Sequence, residues 1–286
     1  MLVLLLSILL VAGICFYRYR CKQNNSRLQK QFNQVIGLRQ LIHLLRFHRR
    51  QTHQLLSNLQ VSAQDKMSLN ESQAIQALMR TLINQAELAH KPMYRILMKR
   101  ITLLLGEWPR YSLQRNQMSH GKAIRHVMYL IDDTITQGLL YAEKDPQFKH
   151  YQTIWPIVLN VIDSLSRFRY AIENYRPERV SAHQRELVLH ASIIHRRLDQ
   201  INQLSHHAPP TLALDKLRAE FDLIPLQDKN LSQNKELLYQ YSLKLSDTIY
   251  LLFDMVLIGI AEEISVNLPP IPTENVQNTV IRLNTN

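Results

Sequence analysis

The chain is poor in the residues that build most catalytic and metal sites. It has two cysteines, Cys15 and Cys21, both in or beside an N-terminal apolar run, so no disulfide framework staples the remainder. Its six glycines could hardly form phosphate-cradling loops, and no Walker A, G-x-S-x-G or dinucleotide-type glycine pattern occurs. Twelve histidines are present but no H-E-x-x-H. His48 and His53 stand five apart, on different faces of a helix, and His206-His207 has no cysteine or acid nearby. Segments that alternate apolar and polar residues with a period of two are hard to find. These absences argue against an enzyme, a bound metal or a cofactor, and the expected fold class is all-α.

Acidic residues are absent before Asp65, whereas the first 64 residues hold nine lysines and arginines; the rest of the chain holds 25 basic against 23 acidic residues. The net charge of +11 is therefore concentrated beside the apolar terminus, and the body is nearly neutral. Nucleic-acid binders carry their excess on the folded domain, so no nucleic-acid partner is expected. Met1–Tyr17 is an uncharged apolar run near the lower length limit of a membrane span. Its positive charges follow the run instead of preceding it as in a signal peptide, and Ile14 before Cys15 makes a poor lipoprotein cleavage site. The expectation is an uncleaved single-pass anchor over residues 1–17. A basic juxtamembrane segment over 18–34 (Arg18, Arg20, Lys22, Arg27 and Lys30) would face anionic headgroups of an inner membrane, with the bulk of the chain cytoplasmic.

What is present in quantity is helical periodicity. Leu38, Leu41, Leu45, His48, Thr52, Leu55 and Leu59 recur at steps of three and four, a stripe that is apolar at both ends and polar in the middle. Arg49 borders the same face. An arginine and a histidine buried together need an anion, a carboxylate or water. A helix over about 26–60 is expected, with Gly37 its only candidate break. Ser68 and Glu71 fit a capping box after a turn. The next helix presents Ala74, Ala77, Leu78, Thr81, Leu82 and Leu88 on one face, and Pro92 opens a third with Met93, Ile96, Leu97 and Leu104 inward. From Lys122 to about Glu143 the inward residues are Ile124, Val127, Met128, Ile131, Ile135 and Leu139; Asp132 and Asp133 lie on a solvated face beside a neighbouring arginine. Asp145-Pro146 reads as a stop and as the boundary between halves at about 35–145 and 147–266.

In the second half, His150–Tyr175 carries Trp155, Val158, Val161, Ile162, Leu165, Phe168 and Ile172, and Arg169 borders that stripe. Helices are also expected over Ser181–Leu204, Leu212–Phe221 and Lys235–Ser265. The apolar run in the last contains Asp254, which favours a buried core helix over a second span. Residues 267–286, with Pro269, Pro270 and Pro272, read as a disordered tail.

Around His48-Arg49-Arg50, and again at Asp163-Ser-Leu-Ser-Arg-Phe-Arg169, the chain resembles the nitrate- and nitrite-sensing (NIT) domains of bacterial receptors; Tyr241–Ile249 has a similar flavour. The family's first helix has an E-R-G-like step where this chain has His48-Arg49-Arg50. The resemblance covers roughly residues 35–266. It implies two stacked or side-by-side four-helix bundles, with arginines of both halves around a small oxyanion, nitrate or nitrite.

The functional expectation is a membrane-anchored signalling protein whose helical bundle senses such an oxyanion. Arg49 and Arg169 would hold it, with His48, Thr52 and Arg50 completing the pocket. No output module is recognisable, so the signal would pass to a separate protein partner, with a homodimer left open. The competing expectation is a membrane-tethered scaffold that binds another protein, its arginines paired internally with carboxylates such as Asp132 or Asp133.

Overall fold

The computed structural model describes residues 2–57, 70–174, 180–205, 211–224 and 231–271. Among these there is no strand, and eight α-helices follow one another: α1 (Leu2–Ser57), α2 (Asn70–Gln85), α3 (Lys91–Glu107), α4 (Leu113–Tyr141), α5 (Asp145–Glu173), α6 (Val180–Leu204), α7 (Thr211–Asp222) and α8 (Leu231–Glu263). The all-α expectation holds. Helix α1 packs along α4 and α2, α2 on α3, and α3 on α4; helices α5, α6, α7 and α8 pack together, and α4 joins α5 across the seam. The described helices therefore form two packed groups, α1–α4 and α5–α8, joined through α4 and α5.

Helix α1 is continuous, and Gly37 does not break it. A Cβ at Gly37 would stand 2.8 Å from Leu82 Cδ2, so the missing side chain is what lets α2 approach. The stripe along α1 is buried from Leu38 through Thr52, and Leu55 is half-buried; Leu59 lies outside the described residues. Burial begins earlier than expected, at Leu28 and Phe32, so the bundle takes in the end of the basic juxtamembrane segment. Among the described residues no helix is long and apolar enough to cross a membrane.

The inward faces of α4 and α5 are as expected from periodicity. Those of α2 and α3 are rotated. Ile75, Leu78, Met79 and Leu82 face the core from α2, with Leu88 left 84% exposed, and Tyr94, Leu97, Ile101 and Leu104 face it from α3, leaving Met93 and Ile96 half exposed. Ile75 takes the core position beside Ala74, and Tyr94 the one beside Met93. Helix α4 begins at Leu113, about two turns before the expected Lys122, capped by the Ser112 hydroxyl, which accepts from Arg115 N at 3.2 Å. Asp145-Pro146 proves to be the start of α5, with the proline in its first turn, where its missing N–H costs nothing. Pro156 sits inside α5 without ending it; the carbonyl it frees belongs to exposed Gln152, which water can satisfy. The capping box at Ser68 falls outside the described residues. Residues 267–271, the start of the proline-rich segment, are held against the bundle. Asn267 N donates to Gln29 Oε1 at 3.0 Å, Pro269 O accepts from Arg39 Nη1 at 3.0 Å, and Leu268 is buried. Residues 272–286 lie outside the described residues.

Candidate functional site

The arginines of the two halves come to one place. Arg49 on α1 and Arg169 on α5 are 5% and 6% exposed, and both line a cleft of about 540 Å³ whose walls come from α3, α4 and α5. The helix register explains this. Each arginine borders an apolar stripe that pulls its helix into the core, which leaves the guanidinium at the seam between the two groups. Arg169 donates from Nε to Ser242 Oγ (3.1 Å) and from Nη2 to Ser242 O (3.0 Å). That anchors it to α8 through neutral acceptors only. Arg49 Nε is buried without a partner. Among the described residues no carboxylate lies within 4 Å of either guanidinium: Asp132 is bonded by Thr136 (3.4 Å), and Asp133 by His90 (2.9 Å) and Gln137 (2.8 Å). The internal carboxylates expected of a scaffold are thus engaged elsewhere, and not by an arginine.

Burial pushes the Arg169 guanidinium well below its usual range, and the Arg49 charge adds to the effect. Burial also lowers Arg49, opposed by the Tyr239 and Tyr250 phenols. An arginine does not release its proton in a protein, so the pull measures charge that lacks a counter-ion. The Tyr239 phenol is raised by burial and opposed by both arginines; its hydroxyl lacks a hydrogen-bond partner, as do both amide atoms of Gln117, which line the cleft nearby and feel that hydroxyl without reaching bonding geometry. These orphaned polar atoms stand beside two buried cations that have no carboxylate in ion-pair reach among the described residues. Among the described residues Glu173 is the one carboxylate lining the cleft. Its Oε1 lies 3.3 Å from His53 Nε2, and the His53 ring stacks on Tyr239 at 3.6 Å. Arg100, Lys122 and Arg125 ring the outer part, with Arg125 paired to Asp163.

Three residues expected at this site are placed elsewhere. His48 and Thr52 do not line the cleft: they turn toward α4, where His48 Nδ1 lies 2.8 Å from His120 Nε2 and Thr52 Oγ1 accepts from Asn116 Nδ2 at 3.0 Å. The reason is a hundred degrees per residue: side chains directly on the stripe meet α4, and only the neighbouring Arg49 reaches the seam with the second half. Arg50 lies on the far side of α1, in a second cleft against α8, where it pairs with Asp247 at 3.3 Å. Gln117, Tyr239, Ser242 and Glu173 were not legible as site residues, since each is an ordinary helical residue until the two halves are brought together. Among the described residues no group of three or more His, Cys, Asp or Glu side chains could hold a metal ion.

No protein-family model matches the chain, and comparisons with curated proteins and with solved structures give no match.

Proposed function

We propose that this chain is a membrane-anchored signalling protein whose helical bundle binds a small oxyanion of the nitrate or nitrite kind and passes the event to a separate protein. One observation carries the reading. Two buried arginines, one from each half, share a cleft with no carboxylate in ion-pair reach among the described residues. Leaving one buried charge unpaired costs several kcal/mol. An oxyanion between them would form charge-assisted hydrogen bonds with both halves at once and so bias how the halves sit together. The kinship to nitrate- and nitrite-sensing domains belongs to this proposal. So does the anchor: Leu10, Val11, Ile14 and Phe16 are apolar and at least half exposed at the start of α1, and the bases that follow favour an inner-membrane, cytoplasmic orientation.

The test is thermal unfolding of the full chain in detergent with nitrate, nitrite and a chloride control. Binding to the folded state stabilises by about 2.7 kcal/mol at a hundredfold excess over the dissociation constant. Arg49→Ala and Arg169→Ala should each remove that gain while leaving the ligand-free protein folded. No oxyanion response in the parent, together with loss of roughly 3–5 kcal/mol in either ligand-free variant, would instead support the scaffold. A C-terminal reporter active only outside the cytoplasm would overturn the orientation.

A further inference from the structure

The cleft is larger and more apolar than an inorganic oxyanion requires. Its volume of about 540 Å³ falls within the roughly 300–1,000 Å³ of sites that enclose a whole small molecule. An oxyanion of a few atoms needs the room of one or two waters, ~30 Å³ each, and would leave most of the cleft unfilled. One part of the wall is apolar. Met93, Ile96, Met118 and Tyr170 line it, and each is about half exposed, so large apolar side chains stand in water around one concavity instead of being scattered. Two of them are methionines, whose flexible thioethers mould to irregular apolar bodies. Gly121 lies one turn beyond Gln117 on the same face of α4, and a Cβ there would meet nothing within 4 Å. The space over the helix backbone is open.

We infer that the cleft takes an organic anion, its carboxylate held at Arg49 and Arg169 and an apolar, ring-sized body lying over Gly121 against Met93, Ile96, Met118 and Tyr170. The inference rests on the reading that the two arginines hold an oxyanion, and narrows it to oxyanions borne on an apolar frame. Gln117, buried with a free donor and a free acceptor beside the arginines, can bond either oxygen of the head or a polar substituent next to it. The ligand comes from the aqueous phase. Arg49 lies 32 residues beyond Tyr17 on one unbroken helix, roughly 48 Å at the helical rise, out of reach of headgroups at a membrane that holds the first turns of α1.

Calorimetric titration of the full chain in detergent with benzoate, acetate and nitrate tests this, with Arg49→Ala titrated in parallel to subtract uptake by the detergent. Benzoate and acetate share a head and differ only in the apolar body. The expected result is benzoate at least tenfold tighter than acetate, with Gly121→Leu removing that advantage while acetate and nitrate binding persist; Met118→Ala should weaken benzoate several-fold without touching acetate. If benzoate gains nothing over acetate while nitrate binds, the inference falls and the oxyanion reading stands. If the advantage survives both substitutions, the apolar body lies elsewhere and the assignment is overturned. If none of the three anions binds, both fall.

Discussion

The rings of His48 and His120 meet in the interior of the first helical group, with Nδ1 of His48 2.8 Å from Nε2 of His120 and both residues fully buried. The network assigns their tautomers. His120 Nδ1 lies 2.9 Å from the Asn116 carbonyl oxygen, which can only accept, so that nitrogen carries the proton. His120 Nε2 is then an acceptor, and His48 Nδ1–H donates a hydrogen bond to it. His48 Nε2 is left as a buried acceptor with no partner, near the Trp108 ring. Neither ring can gain a proton without placing an unpaired charge in the core.

The pH dependence follows with a definite sign. Burial lowers His48 to about 4, and lowers His120 well below the usual value. The unfolded chain binds protons at these sites below about 6.5 and the folded chain does not, so stability rises with pH through this range. It should be full above pH ~6.5 and decline as the pH falls toward 4, by an amount on the order of 3 kcal/mol for His48 alone. Melting curves from pH 7.5 to 4.5 check this, and His48→Gln should flatten the profile. An unchanged slope in that variant would mean other groups dominate.

The buried ion pair between α1 and α8 should be the most sensitive charge to remove. Arg39 is 2% exposed, lies 2.7 Å from Asp254 Oδ1, and also donates to Pro269 O. Asp254→Ala strands a buried guanidinium and should cost roughly 3–5 kcal/mol. Denaturant unfolding measures the loss, and limited proteolysis should show earlier cleavage after Val266, because Arg39 holds that segment as well.

Gly37 offers a packing test. A valine there collides with Leu82, and overpacking of this kind costs about 1–3 kcal/mol. Leu82→Ala alone should cost roughly 2–5 kcal/mol. The double variant should be less destabilised than the sum, since the new side chain enters the space the leucine leaves. Additive effects would show that Gly37 does not set the α1–α2 approach.

Much of the architecture was readable wherever the apolar stripe was long. On α4 and α5, six or seven apolar residues each repeat the helical period, and one placement satisfies all of them. On α2 and α3 fewer strong apolar residues compete, and shifting the face by one residue costs little until partner helices are present. That shift hid the cleft: Met93 and Ile96 read as core side chains, yet they are its outer wall. Arg49 and Arg169 were visible because arginine beside an apolar stripe is costly and therefore informative. His48 and Thr52 read as part of the same pocket because they are polar and adjacent, but neighbours on a helix point a hundred degrees apart, and their hydrogen bonds run within α1 and to α4. The partners Gln117, Tyr239 and Ser242 belong to contacts between distant helices, which no local pattern encodes.

The continuity of α1 past Gly37 has a mechanical consequence. From its apolar first turns to Arg49 the chain has neither hinge nor linker, so the floor of the cleft and the helix end roughly 50–70 Å away are parts of one lever. A sub-ångström turn of the helix at Arg49 does not dissipate in a joint along α1; it reappears as torque or a piston stroke at the far end.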